Sequence, residues 1–151
     1  MSHSKELEDL LNRAYRYALS LTHHADDAFD FVQNAYLKIL EKQKPLVISY
    51  FILTIRNLFI DNKRKEKLRF AWATKSFQED SYEATFTVEP YLEKILSELP
   101  EKNREIIFLS IVEEYTAQEI ADLMKTPRGT ILSILHRTKL KLKEQLTEKP
   151  H

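Results

Sequence analysis

The chain has 151 residues, with 23 Lys and Arg against 23 Asp and Glu, one Gly and no Cys. The absence of cysteine excludes disulfides and thiolate metal sites, and a single glycine excludes a phosphate-cradling glycine loop. Abundant Leu, Ile, Lys and Glu favour helices, so an all-α fold is expected. No apolar run approaches the roughly 20 residues that cross a bilayer, and the start lacks a signal-peptide pattern. These features predict a cytoplasmic protein without membrane insertion.

The first two helices are predicted by apolar spacing and by their end signals. From Leu7 to Leu21, apolar residues recur every three or four positions, which is typical of an amphipathic helix. A second helix is expected to begin near Asp26, because carboxylates in a first turn oppose the positive end of the helix dipole. It should end before Pro45, since proline disfavours helix in the residue that precedes it.

A third helix with a basic end is predicted over residues 48–68. The basic run KRKEKLR occupies residues 63–69. Such a run suits phosphate binding, although a solvated helical face gives the same pattern. The following residues, 71–88, have no clean period and an acidic excess, and they are predicted to form a linker.

The C-terminal part has the punctuation of a helix-turn-helix. A helix is predicted over 101–112, and the sequence TAQE at 116–119 is a capping box that starts a short helix. Thr126 is a candidate N-cap of the last helix, with Pro127 at its first position. Two helices joined by a very short turn, the second followed by basic residues, are typical of a helix-turn-helix.

Residues 90–146 contain five short motifs in a particular order: Leu99-Pro100, Arg104-Glu105, Glu119-Ile120-Ala121, Gly129-Thr130 and Leu135-His136-Arg137. In type, order and spacing this segment resembles region four of the extracytoplasmic-function sigma factors. In that family the second helix of the motif enters the major groove at the minus-thirty-five promoter element. The resemblance places five residues toward DNA: Arg128, Thr130, Ser133, His136 and Arg137.

The N-terminal half resembles region two of the same family. The sequence DDAFDFVQNAYLKIL at 26–40 is similar to the helix that docks on the polymerase clamp. The resemblance assigns polymerase binding to Asp27, Asp30, Gln33, Asn34 and Leu37. The sequence SYFILTIRNLFIDNKRKEK at 49–67 is similar to the element that captures the opened minus-ten strand. It assigns minus-ten DNA contacts to Tyr50, Arg56, Asn57, Lys63, Arg64, Lys65 and Lys67.

The chain also departs from the family pattern. Phe29 and Asn34 stand where relatives often have carboxylates, and Leu132, Ile134 and Leu140 stand where relatives usually have Lys or Arg. Leu132 is expected on the same side as Arg128 and His136, whereas Ile134 is expected nearer the core. Fewer cations imply fewer phosphate contacts, and exposed apolar positions can mark a protein partner.

The resemblance implies two small helical domains: region two over 1–70 and region four over 89–148, joined by the linker at 71–88. It further implies a sigma factor that binds core RNA polymerase, recognises promoter DNA and opens its strands. No covalent chemistry or cofactor is expected. A metal site is not expected either, because the adjacent histidines His23 and His24 diverge on a helix and no distant third ligand is evident. A separate anti-sigma protein is a further partner that the family often uses.

Two alternatives stay open on the sequence. A helix-turn-helix regulator that works without polymerase would leave the Asp30 and Gln33 face without a function. A sigma-like interaction module with weak DNA binding is favoured slightly by Leu132, Ile134 and the neutral net charge.

Overall fold

Every element that the structure describes is helical, which confirms the predicted all-α fold. The structure is a computed structural model, and it describes residues 2–72 and 90–147. Its α-helices are α1 (Ser2–Thr22), α2 (Ala25–Glu41), α3 (Ile48–Trp72), α4 (Pro90–Ser97), α5 (Glu101–Ile107), α6 (Ala117–Met124) and α7 (Arg128–Thr147). A π-helical turn over Phe108–Val112 continues α5.

The chain divides into two compact units, Met1–Thr85 and Phe86–His151. The predicted end of the third helix at 68 and start of the linker at 71 are wrong, because α3 continues to Trp72. The rest of the predicted linker, 73–88, lies outside the described residues and stays a prediction. No helix in the described part of the chain is both long and apolar enough to span a membrane.

In the first unit, α1, α2 and α3 each contact the other two. Their common core includes Tyr17, Ile39 and Phe51, which are fully buried. The rings of Tyr36 and Phe51 lie nearly parallel, with centroids 6.4 Å apart. Aromatic side chains bury large apolar areas, so this contact helps to hold α2 against α3. It also sets which sides of α2 and α3 face outward.

The start of α2 lies one residue before the predicted position and is capped by a histidine. The backbone N–H of Asp27 donates to Nδ1 of His24 at 3.3 Å, which satisfies one of the free amides of the first turn. The His24 side chain is therefore engaged in capping. Among the described residues, no three His, Asp or Glu side chains are arranged to hold a metal ion.

The second unit packs α5, α6 and the short α4 against α7. Ile106, Leu109 and Ile131 are fully buried in its core. The amide of Asn103 donates to the hydroxyl of Thr138 at 3.4 Å, which links α5 to α7 beside that core. These contacts fix the side of α7 that faces the core.

The predicted capping box at the start of α6 is confirmed. The N–H of Glu119 donates to Thr116 Oγ1 at 3.0 Å, and the N–H of Thr116 donates to Glu119 Oε1 at 2.8 Å. The predictions of Thr126 as N-cap and Pro127 as first helical residue are wrong, because both residues lie in the turn before α7. The Thr126 hydroxyl donates to the carbonyl of Met124 at 3.0 Å. Helix α7 begins at Arg128, after a turn of three residues.

Lys125 holds that turn in a left-handed conformation, with φ of 52° and ψ of 48°. This conformation is costly for residues with a Cβ and favours glycine. We expect Lys125→Gly to raise the free energy of unfolding by about 0.5–1 kcal/mol. Lys139→Gly, an exposed position inside α7, is the matched control and should lower it by about 1 kcal/mol. Thermal unfolding followed by circular dichroism checks both, and destabilisation by both variants would contradict the account.

Candidate functional site

The outward side of α2 carries all five residues predicted to bind polymerase. The inward side is defined by four buried residues: Ala28, Val32, Ala35 and Ile39. At about 100° per residue, the predicted residues fall within an arc of about 120° on the opposite side of the helix. Each of them is exposed. We call Asp27, Asp30, Gln33, Asn34 and Leu37 the α2 surface.

The α2 surface is bordered by exposed apolar side chains that the sequence prediction did not include. Leu37 is 62% exposed, and Phe29 and Leu40, which flank it on the Gln33 side, are 54% and 45% exposed. Large apolar groups that cluster on one exposed face are typical of protein interaction sites. Their signal in the sequence is that Phe29, Leu37 and Leu40 fall outside the period of the buried α2 residues.

The predicted minus-ten residues do not form one surface on α3. Tyr50, Asn57 and Arg64 are spaced seven residues apart, so they follow one row along the helix, which we call the α3 row. Asn57 and Arg64 are exposed and Tyr50 is half-buried. The row lies opposite the buried Phe51, Ile55 and Phe59. An aromatic ring, an amide and a guanidinium thus face outward together.

A second row on α3 contains Arg56, Lys63 and Lys67, about 100° around the helix from the α3 row. Lys63 Nζ lies 5.4 Å from the centroid of the Phe59 ring, within the range of a cation–π interaction. Lys65 projects on the other flank of the α3 row. Residues 61–69 are all exposed. Arg64 thus ends the α3 row, and Lys63, Lys67 and Lys65 lie on its two flanks.

On α7 the core side is defined by Ile131, Ile134, Leu135 and Thr138, all buried. Ile134 is only 8% exposed, in line with its expected position near the core. Directly opposite lies a row of four exposed residues, which we call the α7 row: Gly129, Ser133, His136 and Leu140. Two of its members, Ser133 and His136, are predicted DNA contacts.

The other predicted DNA contacts of α7 flank this row. Arg128 lies on one side, and Thr130 and Arg137 lie on the other, all exposed. The helix has no carboxylate before Glu144, so its outward side is positively charged. A cationic helix of this kind, preceded by a short helix and a tight turn, has the geometry of a recognition helix.

Gly129, the only glycine of the chain, was not among the predicted contacts. A Cβ built on it meets no heavy atom within 4 Å, and its φ is not positive, so the fold itself does not require a glycine here. Glycine also permits the close approach of another backbone. We expect Gly129→Ala to keep or raise stability, by up to about 1 kcal/mol, while it weakens DNA binding.

Thermal unfolding and promoter binding by the same Gly129→Ala sample separate the two effects. If Gly129→Ala bound DNA as well as the wild type, no close approach would occur at this position.

The structure defines a helix-turn-helix protein with an additional helical unit, and comparisons with known proteins show which proteins it resembles. Residues 90–142 match the family model described as Sigma-70, region 4. A solved structure of the sigma factor RpoE, in complex with the anti-sigma factor NepR from Bartonella quintana, has the same fold. Its TM-score is 0.78 at 24% sequence identity, with 99% of each chain covered.

Three sigma factors of Bacillus subtilis (strain 168) are similar over most of the chain. YlaC is 23% identical over 98% of this chain and 96% of its own length. SigV is 28% identical over 89% of this chain and 84% of its own length. SigM is 29% identical over 88% of this chain and 88% of its own length. Over most of its length the chain is therefore similar to RNA polymerase sigma factors, and one of these relatives, SigM, is described as an ECF RNA polymerase sigma factor.

Proposed function

We propose that the chain binds core RNA polymerase, directs it to promoter DNA and helps to open the strands. The observation that carries this proposal is the similarity to RNA polymerase sigma factors over 88–98% of the chain, which includes both units. The α2 surface binds polymerase, the α3 row receives the opened minus-ten strand, and α7 binds the minus-thirty-five duplex. The chain itself performs no covalent chemistry and needs no cofactor, since polymerase supplies the catalysis. It works in the cytoplasm, where polymerase and promoters meet.

The chemistry of each surface supports its role. The α2 surface combines exposed apolar groups with carboxylates and amides, a mixture suited to a protein partner. The α3 row presents an aromatic ring and an amide to an unstacked base, with cations on both flanks for the phosphates. Within the α7 row, Ser133 and His136 offer polar groups to base edges, between cations that bind the backbone.

The two alternatives have less support. If the chain were a regulator that works without polymerase, the five exposed residues of the α2 surface would have no assigned function. The interaction module was favoured in part by Ile134, but the burial of Ile134 explains its apolar side chain by packing. A separate anti-sigma protein fits the proposed function as a regulator, and the B. quintana structure provides an example of such a complex.

The test is reconstituted transcription. The chain is added to bacterial core polymerase with a library of fragments from the source genome, and the transcripts are sequenced. We expect discrete start sites that core polymerase alone does not use. Absence of any chain-dependent start site, with a known sigma factor active in parallel, would contradict the proposal.

Asn57→Ala should slow promoter opening by roughly tenfold and affect initial duplex binding much less, because a base-capturing amide acts only after a strand is exposed. On a duplex promoter, opening is followed by 2-aminopurine fluorescence. On a premelted promoter, which is already open, the same signal reports base capture alone. Asn62→Ala is the matched control, since Asn62 is exposed on the same helix about 140° away. Equal defects on both templates would assign base recognition to Asn57 without a role in melting.

A further inference from the structure

Leu132 is a large apolar side chain on the outward half of α7. It is 42% exposed and lies in the second turn of the helix. Arg128 precedes it by one turn and His136 follows by one turn, so the three form a continuous line. A single exposed leucine is ordinary on a protein surface. The position of Leu132 between Arg128 and His136 is the observation that indicates what it contacts.

The neighbours of Leu132 favour a nucleic acid over an apolar protein face. The outward half of α7 carries cations, and the helix has no carboxylate before Glu144. Such a surface attracts phosphates and brings the first turns of a recognition helix to the base edges of the major groove. Thymine is the base that presents a methyl group there, and apolar side chains contact it without needing a hydrogen-bond partner.

We propose that Leu132 reads the C5-methyl group of a thymine in the upstream promoter element. This inference rests on the proposed function, because it requires that α7 enters the major groove. Leu140 is also exposed, at 50%, and lies eight residues further along α7. At 1.5 Å per residue it is about 12 Å beyond Leu132, past the turns that reach base edges. Leu140 is therefore the matched control.

The experiment uses the full chain bound to bacterial core polymerase and a promoter identified by reconstituted transcription. Each thymine of the upstream element, on either strand, is replaced in turn by deoxyuridine, which removes only the methyl group. For the wild type, one replacement should lower promoter affinity about fourfold, the factor that corresponds to about 0.8 kcal/mol for one buried carbon group. Leu132→Ala should bind the thymine and uracil promoters equally, while Leu140→Ala should respond as the wild type does.

Two results would overturn the inference. One is that no uracil replacement affects the wild type, and the other is that Leu132→Ala keeps the full response, which would leave a protein contact as the reason for the leucine. Both results are compatible with transcription from the unmodified promoter, so the proposed function would stand. Loss of chain-dependent transcription on the unmodified promoter would contradict the proposed function instead. Because Leu132 is exposed, unchanged helicity of Leu132→Ala by circular dichroism serves as the folding control.

Discussion

Asp30→Lys combined with Gln33→Ala is expected to lower the affinity of the chain for core RNA polymerase by about 30-fold or more. The two residues are exposed one turn apart in the α2 surface. Loss of one partner from a buried polar or charged pair costs about 2–5 kcal/mol at an interface, and charge reversal adds repulsion. Helix α2 should remain intact, because its buried residues are unchanged.

The measurement is competition for core polymerase against labelled wild-type chain. The matched control is Asp9→Lys with Asn12→Ala, which likewise reverses one charge and removes one side-chain amide at the same spacing, on exposed positions of α1. The control should bind as the wild type does. A folded α2 variant with unchanged affinity, or an equal loss in the α1 control, would move polymerase docking away from the α2 surface.

Phe51→Ala is expected to lower the free energy of unfolding of the first unit by about 3–5 kcal/mol. Phe51 is fully buried, and its ring lies 6.4 Å from that of Tyr36, so truncation leaves a cavity between α2 and α3. Small domains are stable by only about 5–15 kcal/mol, so a loss of this size removes a large fraction of the total. Polymerase binding should fall with it, since the α2 surface depends on the packing of α2.

Urea unfolding followed by circular dichroism checks this prediction. Leu53→Ala is the matched control on the same helix, because Leu53 is 42% exposed and its truncation leaves no buried cavity. We expect a change within about 0.5 kcal/mol for the control. Equal stability of Phe51→Ala and wild type would contradict the assignment of Phe51 to the core.

Hydrophobic period and end signals were sufficient to predict most of the helices. Helix α4 was not predicted, because its eight residues are too few to display a clear period. The π-helical turn was not predicted either. An unbroken α-helix over 101–112 would place Val112 one turn after the buried Leu109, yet Val112 is 52% exposed. A π-helical turn contains more residues than a regular turn, and an apolar period that assumes a regular helix does not predict it.

The three candidate surfaces were predictable to different degrees, according to how well the family pattern agrees with the helical period. On α2 the family pattern and the helical period agree, so all predicted residues lie on one side. On α3 the family pattern names residues that helical geometry divides between two rows, as with Asn57 and Lys63, and the same geometry places Lys65 outside both. On α7 the period separates the buried Ile134 from the exposed Leu132, although both depart from the family pattern in the same way. That the fold does not require a glycine at position 129 is visible only once its surroundings are known.

A sigma factor of the proposed kind binds polymerase and promoter together and so brings about strand opening. Permanganate reactivity of thymines near the start site measures this directly on a promoter found by reconstituted transcription. Three mixtures are compared: core polymerase alone, the chain alone, and both together. Our account predicts reactive thymines upstream of the start site only when both are present, and fewer of them with the Asp30→Lys, Gln33→Ala variant. Duplex binding by the chain alone, with no reactive thymines in the complete mixture, would contradict it.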